Sequence, residues 1–163
     1  MDGRQTGKGA DRGHRRRWPL ASGATCSAEI YEIAREVGGE IARNGFSLVC
    51  GGLGGVMEAA CRGAKEAGGI TIGILPTSDK RDANPYVDFV IPTGLGQARN
   101  VLVVHASDAL VAVDGETGTL SEIAIALKVG KPIVGIKTWE LEGRVPLVQE
   151  GGEAITMIMD MLR

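Results

Sequence analysis

From about residue 18 onward the chain alternates between short apolar runs and longer stretches in which apolar positions recur every three or four residues. Trp18–Ser22 is a weak candidate for a first strand, because Pro19 is tolerated only at a strand start or edge. Ser27 is placed to cap a helix running to about Asn44, with Ile30, Ile33, Ala34, Val37 and Ile41 on one face and Gly45 ending it. Phe46–Cys50 reads as a buried strand, followed by Gly51-Gly52-Leu53-Gly54-Gly55 and a helix from Val56 to Ala67. Gly68-Gly69 stops that helix, and Ile70–Leu75 forms the next strand. Pro76–Pro85 is polar and reads as a loop, and Val87–Pro92 is a further strand. Thr93–Gly96 then leads into a helix over Gln97–Ala106. Ala109–Val113 is a strand, Thr119–Val129 a helix and Pro132–Ile136 another strand. A connector containing Trp139 and Pro146 precedes a last helix near Gly152–Leu162.

Strands alternating with helices imply right-handed crossovers and a mostly parallel sheet with helices on both faces. The expected fold class is α/β, a single Rossmann-like, doubly wound domain over residues 18–163. Composition agrees. Gly contributes 25 of 163 residues and aromatics only 4%, a mixture suited to close helix–sheet packing. Residues 1–17 depart from it, with Arg4, Lys8, Arg12, Arg15, Arg16 and Arg17 against Asp2 and Asp11 and few apolar side chains. They read as a disordered basic tail.

Charge and cysteine usage narrow the partners. A formal net charge of −2 argues against nucleic acid or an anionic membrane as the main partner. Cys26, Cys50 and Cys61 are odd in number and show no CxxC spacing, which fits a reducing cytoplasm and offers neither a disulfide framework nor a zinc site. His14 and His105 form no metal-binding pair, and no apolar run is long enough to span a bilayer. The expected location is cytoplasmic.

In an open α/β sheet, ligands bind outside the carboxyl ends of the strands. Three glycine-bearing loops fall there. Gly51–Gly55 matches neither GxGxxG nor a Walker loop, and either admits a ligand close to backbone or allows close helix–strand packing. Thr93–Gly96 precedes Arg99, a cation in the first turn of its predicted helix, where the macrodipole disfavours it unless an anion stands nearby. In the third, Asp114–Gly118, an apolar strand meets a glycine turn and a helix opens with Thr119 and Glu122. This spacing fits a capping box, in which Thr119 caps and Glu122 reaches back. It also aims N–H groups and a carboxylate at a ligand, as anion sites do.

Cys50-Gly-Gly-Leu-Gly-Gly-Val-Met57, Gly94-Leu-Gly-Gln-Ala-Arg-Asn100 and Gly118-Thr-Leu-Ser-Glu122 together resemble the LOG family, often described as lysine decarboxylase-like. Within it they are similar to a bacterial branch that also resembles the molybdenum cofactor carrier proteins. The resemblance covers roughly residues 23–140. It implies a Rossmann-like homodimer or higher homo-oligomer, and hydrolysis of the N-glycosidic bond of a nucleoside 5′-monophosphate to free base and ribose 5-phosphate. The alternative it implies is a non-catalytic carrier of a phosphorylated ligand. No resident cofactor is required; a nucleotide or a molybdenum cofactor is the ligand to expect. No lysine is placed for a pyridoxal phosphate decarboxylase.

The family pattern is an arginine before the motif strand, then Pro-Gly-Gly-x-Gly-Thr-x-x-Glu. It assigns catalysis to Arg99 and Glu122, and ligand or phosphate contacts to Gly51, Gly52, Gly54, Gly55, Met57, Gly94, Gly96, Gly115, Gly118 and Thr119. Asp114 and Glu116 stand where the family has proline and its second glycine. A carboxylate about 4 Å from a phosphate costs roughly 1–4 kcal/mol, so these two positions oppose the expected ligand.

Overall fold

The computed structural model describes residues 26–163, so the expected strand Trp18–Ser22 and the basic tail lie outside the described residues. Five helices and six strands follow in the order α1 (Ala28–Arg43), β1 (Leu48–Cys50), α2 (Val56–Glu66), β2 (Thr71–Leu75), β3 (Phe89–Pro92), α3 (Asn100–Ala106), β4 (Leu110–Val113), α4 (Thr117–Val129), β5 (Ile133–Ile136), β6 (Leu147–Val148) and α5 (Gly151–Met161). Among the described residues the strands form two three-stranded sheets, β1-β2-β3 and β4-β5-β6, and all pairings are parallel. The fold is α/β with parallel sheets, as the alternation predicts.

Strand β4 shows how both faces are covered. Its successive residues Ala112 and Val113 point to opposite faces. Ala112 joins a core of Val104 from α3, Ile123 and Ala126 from α4 and Ile133 from β5. Val113 joins Ile30, Ala34 and Val37 of α1, Ala59 of α2 and Ala154 and Ile158 of α5. Each buried Val or Ile among them contributes roughly 1.5–3 kcal/mol, and each alanine less. Helices α1 and α2 cross at very close range. A Cβ on Gly38 would lie 1.9 Å from the Ala60 carbonyl oxygen, and one on Gly63 would lie 1.8 Å from that of Arg35.

The caps follow the sequence reading at α1, where the Ser27 hydroxyl accepts the Ile30 N–H at 3.2 Å. At its end, Gly45 N–H donates to Ala42 O and Phe46 N–H to Ile41 O, with Gly45 at φ 81°. Four expectations are corrected. The helix expected from Gln97 begins as a 3-10 turn, Gly96–Arg99, and becomes α-helical only at Asn100. Helix α4 opens at Thr117 with Glu116 as its N-cap, two residues earlier than expected. The connector after β5 contains a further parallel strand, β6, and the expected loop at 76–85 contains a 3-10 turn at Lys80–Asp82. Among the described residues no helix is long and apolar enough to cross a membrane.

Candidate functional site

The carboxyl ends of β1, β2 and β4 open into one cleft. Its walls include Gly51 and Met57 after β1, Gly94 and Gly96 before α3, and Gly115, Gly118 and Thr119 around the start of α4. Arg99 and Glu122 line the same cleft. The three loops singled out by sequence therefore converge. Gly52, Gly54 and Gly55 instead shape the first loop. Gly52 has φ 73°, and a Cβ there would lie 2.8 Å from Leu75 Cδ2. Gly55, φ 64°, is the N-cap of α2.

Helix α4 supplies the anion-directed groups. Its first helical bond runs from the Leu120 N–H to the Glu116 carbonyl at 3.0 Å. The N–H groups of Thr117, Gly118 and Thr119 precede that bond and have no intrahelical acceptor. Gly118 has nothing within 4 Å of where a Cβ would stand, so ligand atoms can approach the backbone. The second loop works differently. Gly94 N–H donates to Thr77 O at 3.0 Å and Gly96 N–H to Pro76 O at 2.9 Å, so both amides are engaged within the protein. These glycines serve a backbone with φ of 65° and 58°.

The capping-box expectation for Glu122 fails. With α4 beginning at Thr117, Thr119 sits inside the first turn and Glu122 in the second, and neither closes a cap. The structural reason for a glutamate at 122 disappears. What the structure places there is a largely buried carboxylate whose side chain is 26% exposed, with Oε1 3.9 Å from Nη1 of Arg99. Burial pushes the Glu122 carboxyl up to about 7, the nearby guanidinium only partly opposing it. Desolvation lowers the Arg99 pKa in turn, with Glu122 and Cys50 pulling the other way. At 3.9 Å the two groups attract without sharing a hydrogen bond.

Arg99 is held by shape. Its guanidinium lies over Gly51, where a Cβ would come within 2.3 Å of Nη1. Its side chain is 7% exposed. Arg99 Nε and Thr77 Oγ1, both on residues that line the cleft, are buried without a hydrogen-bond partner among the described residues.

Two buried asparagines that sequence reading did not single out support this arrangement. Asn100 Nδ2 donates to Ser121 Oγ at 2.8 Å, and Ser121 Oγ donates to Gly118 O at 2.7 Å, tying α3 to the opening of α4. The Ser121 hydroxyl is thus engaged structurally. Asn84 spans the loop after β2 and the first glycine loop, its N–H donating to Gly52 O and its Nδ2 to Leu53 O, both at 2.9 Å. The signal for Asn100 was its place beside Arg99; Asn84 sat unmarked in a polar loop.

The turn that departs from the family pattern is firmly fixed. Asp114 has φ 51°, a conformation closed to proline, so the turn as built here excludes the first residue of the Pro-Gly-Gly pattern. Gly115, φ 108°, faces Thr119, whose Oγ1 would stand 2.0 Å from a Cβ. From the loop after β5, Thr138 Oγ1 donates to Asp114 O at 2.6 Å and Trp139 Nε1 to Glu116 O at 3.3 Å. The Glu116 side chain is exposed.

Residues 20–160 match the model of the SLOG cluster4 family. The chain belongs to that family. Over 122 residues it is 36% identical to a cytokinin riboside 5′-monophosphate phosphoribohydrolase of Mycobacterium tuberculosis, covering 69% of this chain and 65% of that protein. The molybdenum cofactor binding protein of Rippkaea orientalis shares the fold with a TM-score of 0.82 and 35% identity over 88% of this chain and 94% of that one. The molybdenum cofactor carrier protein of Chlamydomonas reinhardtii does so with a TM-score of 0.76 and 37% identity, over 87% and 93% of the respective chains. SLOG cluster4 membership, phosphoribohydrolase relatives and cofactor-carrier neighbours agree with the resemblance read from the three motifs. Among the described residues no group of three or more His, Cys, Asp or Glu side chains is placed to hold a metal ion.

Proposed function

We propose that this protein hydrolyses the N-glycosidic bond of a nucleoside 5′-monophosphate. The observation that carries the reading is the Arg99–Glu122 pair: a carboxyl pushed up to about 7, 3.9 Å from a buried guanidinium, beside the open N–H groups of α4. Those N–H groups hold the 5′-phosphate at the helix N-terminus. The Glu122 carboxylate accepts a proton from the attacking water and stabilises positive charge developing on the ribose. The water oxygen bonds to the anomeric carbon, the carbon–nitrogen bond breaks, and the proton taken up by Glu122 passes to the departing base, restoring the carboxylate. Arg99 orients Glu122 and adds an anion-directed charge. We place this chemistry in a reducing compartment, the cytoplasm, which suits the free thiols of Cys26, Cys50 and Cys61 as the resting state.

A homodimer accompanies this reading. Leu95, Val101 and Leu102, around the start of α3, and Val129 at the end of α4 are 54%, 43%, 41% and 42% exposed, an apolar surface suited to a second copy. Light scattering at micromolar concentration reads it: a mass of twice the chain supports it and a monomer overturns it.

A second reading, a carrier for a phosphorylated ligand such as a molybdenum cofactor, is favoured by Asp114 and Glu116 at the turn and by the molybdenum cofactor proteins that share the fold. The deciding experiment incubates the wild type and Glu122→Gln with AMP and related monophosphates and assays free base and ribose 5-phosphate. Release by the wild type alone supports the hydrolase. Intact substrate, together with a rise in melting temperature on adding a phosphorylated pterin, assigns the carrier role.

A further inference from the structure

The function above leaves one chemically active pair unused. Cys50 ends β1 and Cys61 lies in α2, and their Sγ atoms are 3.5 Å apart. The segment between them contains the whole Gly51–Gly55 loop. Cys50 lines the cleft and is half-buried, whereas Cys61 is fully buried and packs with Leu48 and Ala64. The Gly52 N–H donates to Cys50 Sγ at 3.3 Å. Cys26 packs against a different core cluster.

We propose that Cys50 and Cys61 form a dithiol that hydroperoxides oxidise reversibly to an intramolecular disulfide, and that this bond resets the Gly51–Gly55 loop. The Cys50 thiolate attacks a peroxide oxygen and the O–O bond breaks. The departing hydroxide or alkoxide leaves as water or alcohol after taking up a proton, and Cys50 becomes a sulfenic acid. The Cys61 sulfur then attacks the Cys50 sulfur. The S–S bond forms, the S–O bond breaks, and hydroxide takes the Cys61 proton to leave as water. The two thiols lose two electrons and the peroxide gains them; an external dithiol reverses the bond by exchange.

The environment sets the order of events. Contact with Cys61, the Gly52 N–H and the Arg99 charge favour a thiolate at Cys50, while the neighbouring Cys50 and burial raise the Cys61 thiol. The consequence for the loop is geometric. An S–S bond is about 2.05 Å long, so the sulfurs approach by about 1.5 Å. Rotation of the two side chains and movement of the strand end and helix that frame Gly51–Gly55 together close this distance. Gly51 carries the Arg99 guanidinium on its open face, which transmits the shift to the cleft.

The test uses the full chain with Cys26→Ser, treated with hydrogen peroxide and quenched with an alkylating agent. Intact mass, peptide mapping and amide exchange are then read. The expected result is a loss of about 2 Da, a linked Cys50–Cys61 peptide, altered exchange at residues 51–55 and full reversal by dithiothreitol. In Cys61→Ala the same treatment leaves a sulfenic acid on Cys50 that dimedone traps. Two alkylatable thiols after treatment, or sulfinic acid at Cys50 without a linked peptide, overturn the dithiol. A linked peptide with unchanged exchange at 51–55 overturns the coupling to the loop. None of these readouts depends on substrate.

Discussion

The guanidinium of Arg99 fills the space that a side chain on Gly51 would take, with Nη1 and Nη2 at 2.3 and 2.4 Å from the position of a Cβ. The first glycine loop therefore does more than approach a ligand: it seats the arginine that faces Glu122.

Gly51→Ala should displace Arg99 while keeping the fold, because the clashing atoms are the far end of a flexible side chain. Base release from AMP is expected to fall at least tenfold, with little further loss in Gly51→Ala/Arg99→Ala over Arg99→Ala alone. Such non-additivity marks groups acting as one unit. Steady-state kinetics on the four proteins, with thermal melts as a control for folding, measure it.

Glu122 makes two pH-dependent predictions. Acting as a base, it requires the carboxylate, so hydrolysis should rise with pH through about 7, and Glu122→Gln should lose roughly a hundredfold or more. Stability moves the other way. The native carboxyl keeps its proton up to about 7 and the unfolded one only to about 4.3, so the native state binds more protons in that window. Stability from this group is present below about 4.3 and is lost as pH rises to about 7. Glu122→Gln should thus stabilise the protein at pH 8 by on the order of 1–3 kcal/mol and have little effect at pH 4, as urea melts at both pH values will register.

Gly118 separates folding from binding. It lies in the first turn of α4 with open space beside it. Gly118→Ala should raise the melting temperature slightly, since alanine is favoured in a helix by up to about 1 kcal/mol. The same methyl stands where a phosphate would meet the backbone, so affinity for AMP should fall several-fold or more by calorimetry. Unchanged affinity would move the phosphate away from α4.

Glu116 caps α4 with its backbone and leaves its side chain exposed. Glu116→Gln removes a negative charge near the N-terminal turn without altering the backbone. It should tighten phosphorylated ligands about threefold to tenfold at low salt, with the gain shrinking as salt screens the charge. Titrations at two ionic strengths provide the comparison.

Much of the fold was legible because its signals are local. Ser27 and Gly45 bound α1 by hydrogen bonds within a few residues, and the β4 pattern follows from alternation. The opening of α4 was misread for the same reason. Thr119-Leu-Ser-Glu122 satisfies a local capping pattern, yet α4 begins at Thr117, in a turn held from the distant loop after β5. Strand β6 was too short to show a period, and it pairs only because β5 presents an edge to it. Of the site, the three loops and the pair Arg99 and Glu122 were readable as types. Their relation was not, because the seat on Gly51 and the brace from Asn100 to Ser121 are contacts between segments far apart in sequence.

Thr138 and Trp139 grip the carbonyl oxygens of Asp114 and Glu116, atoms that every amino acid possesses. That corner is thus held from outside by bonds that do not depend on the side chains of 114 and 116. At 116, where the backbone is extended, the lettering can change while the path of the chain stays put; at 114, with φ 51°, it can change only among residues that tolerate the left-handed region. Charge at 116 becomes an adjustable dial on an unchanging frame, able to alter what the turn holds without altering how it folds.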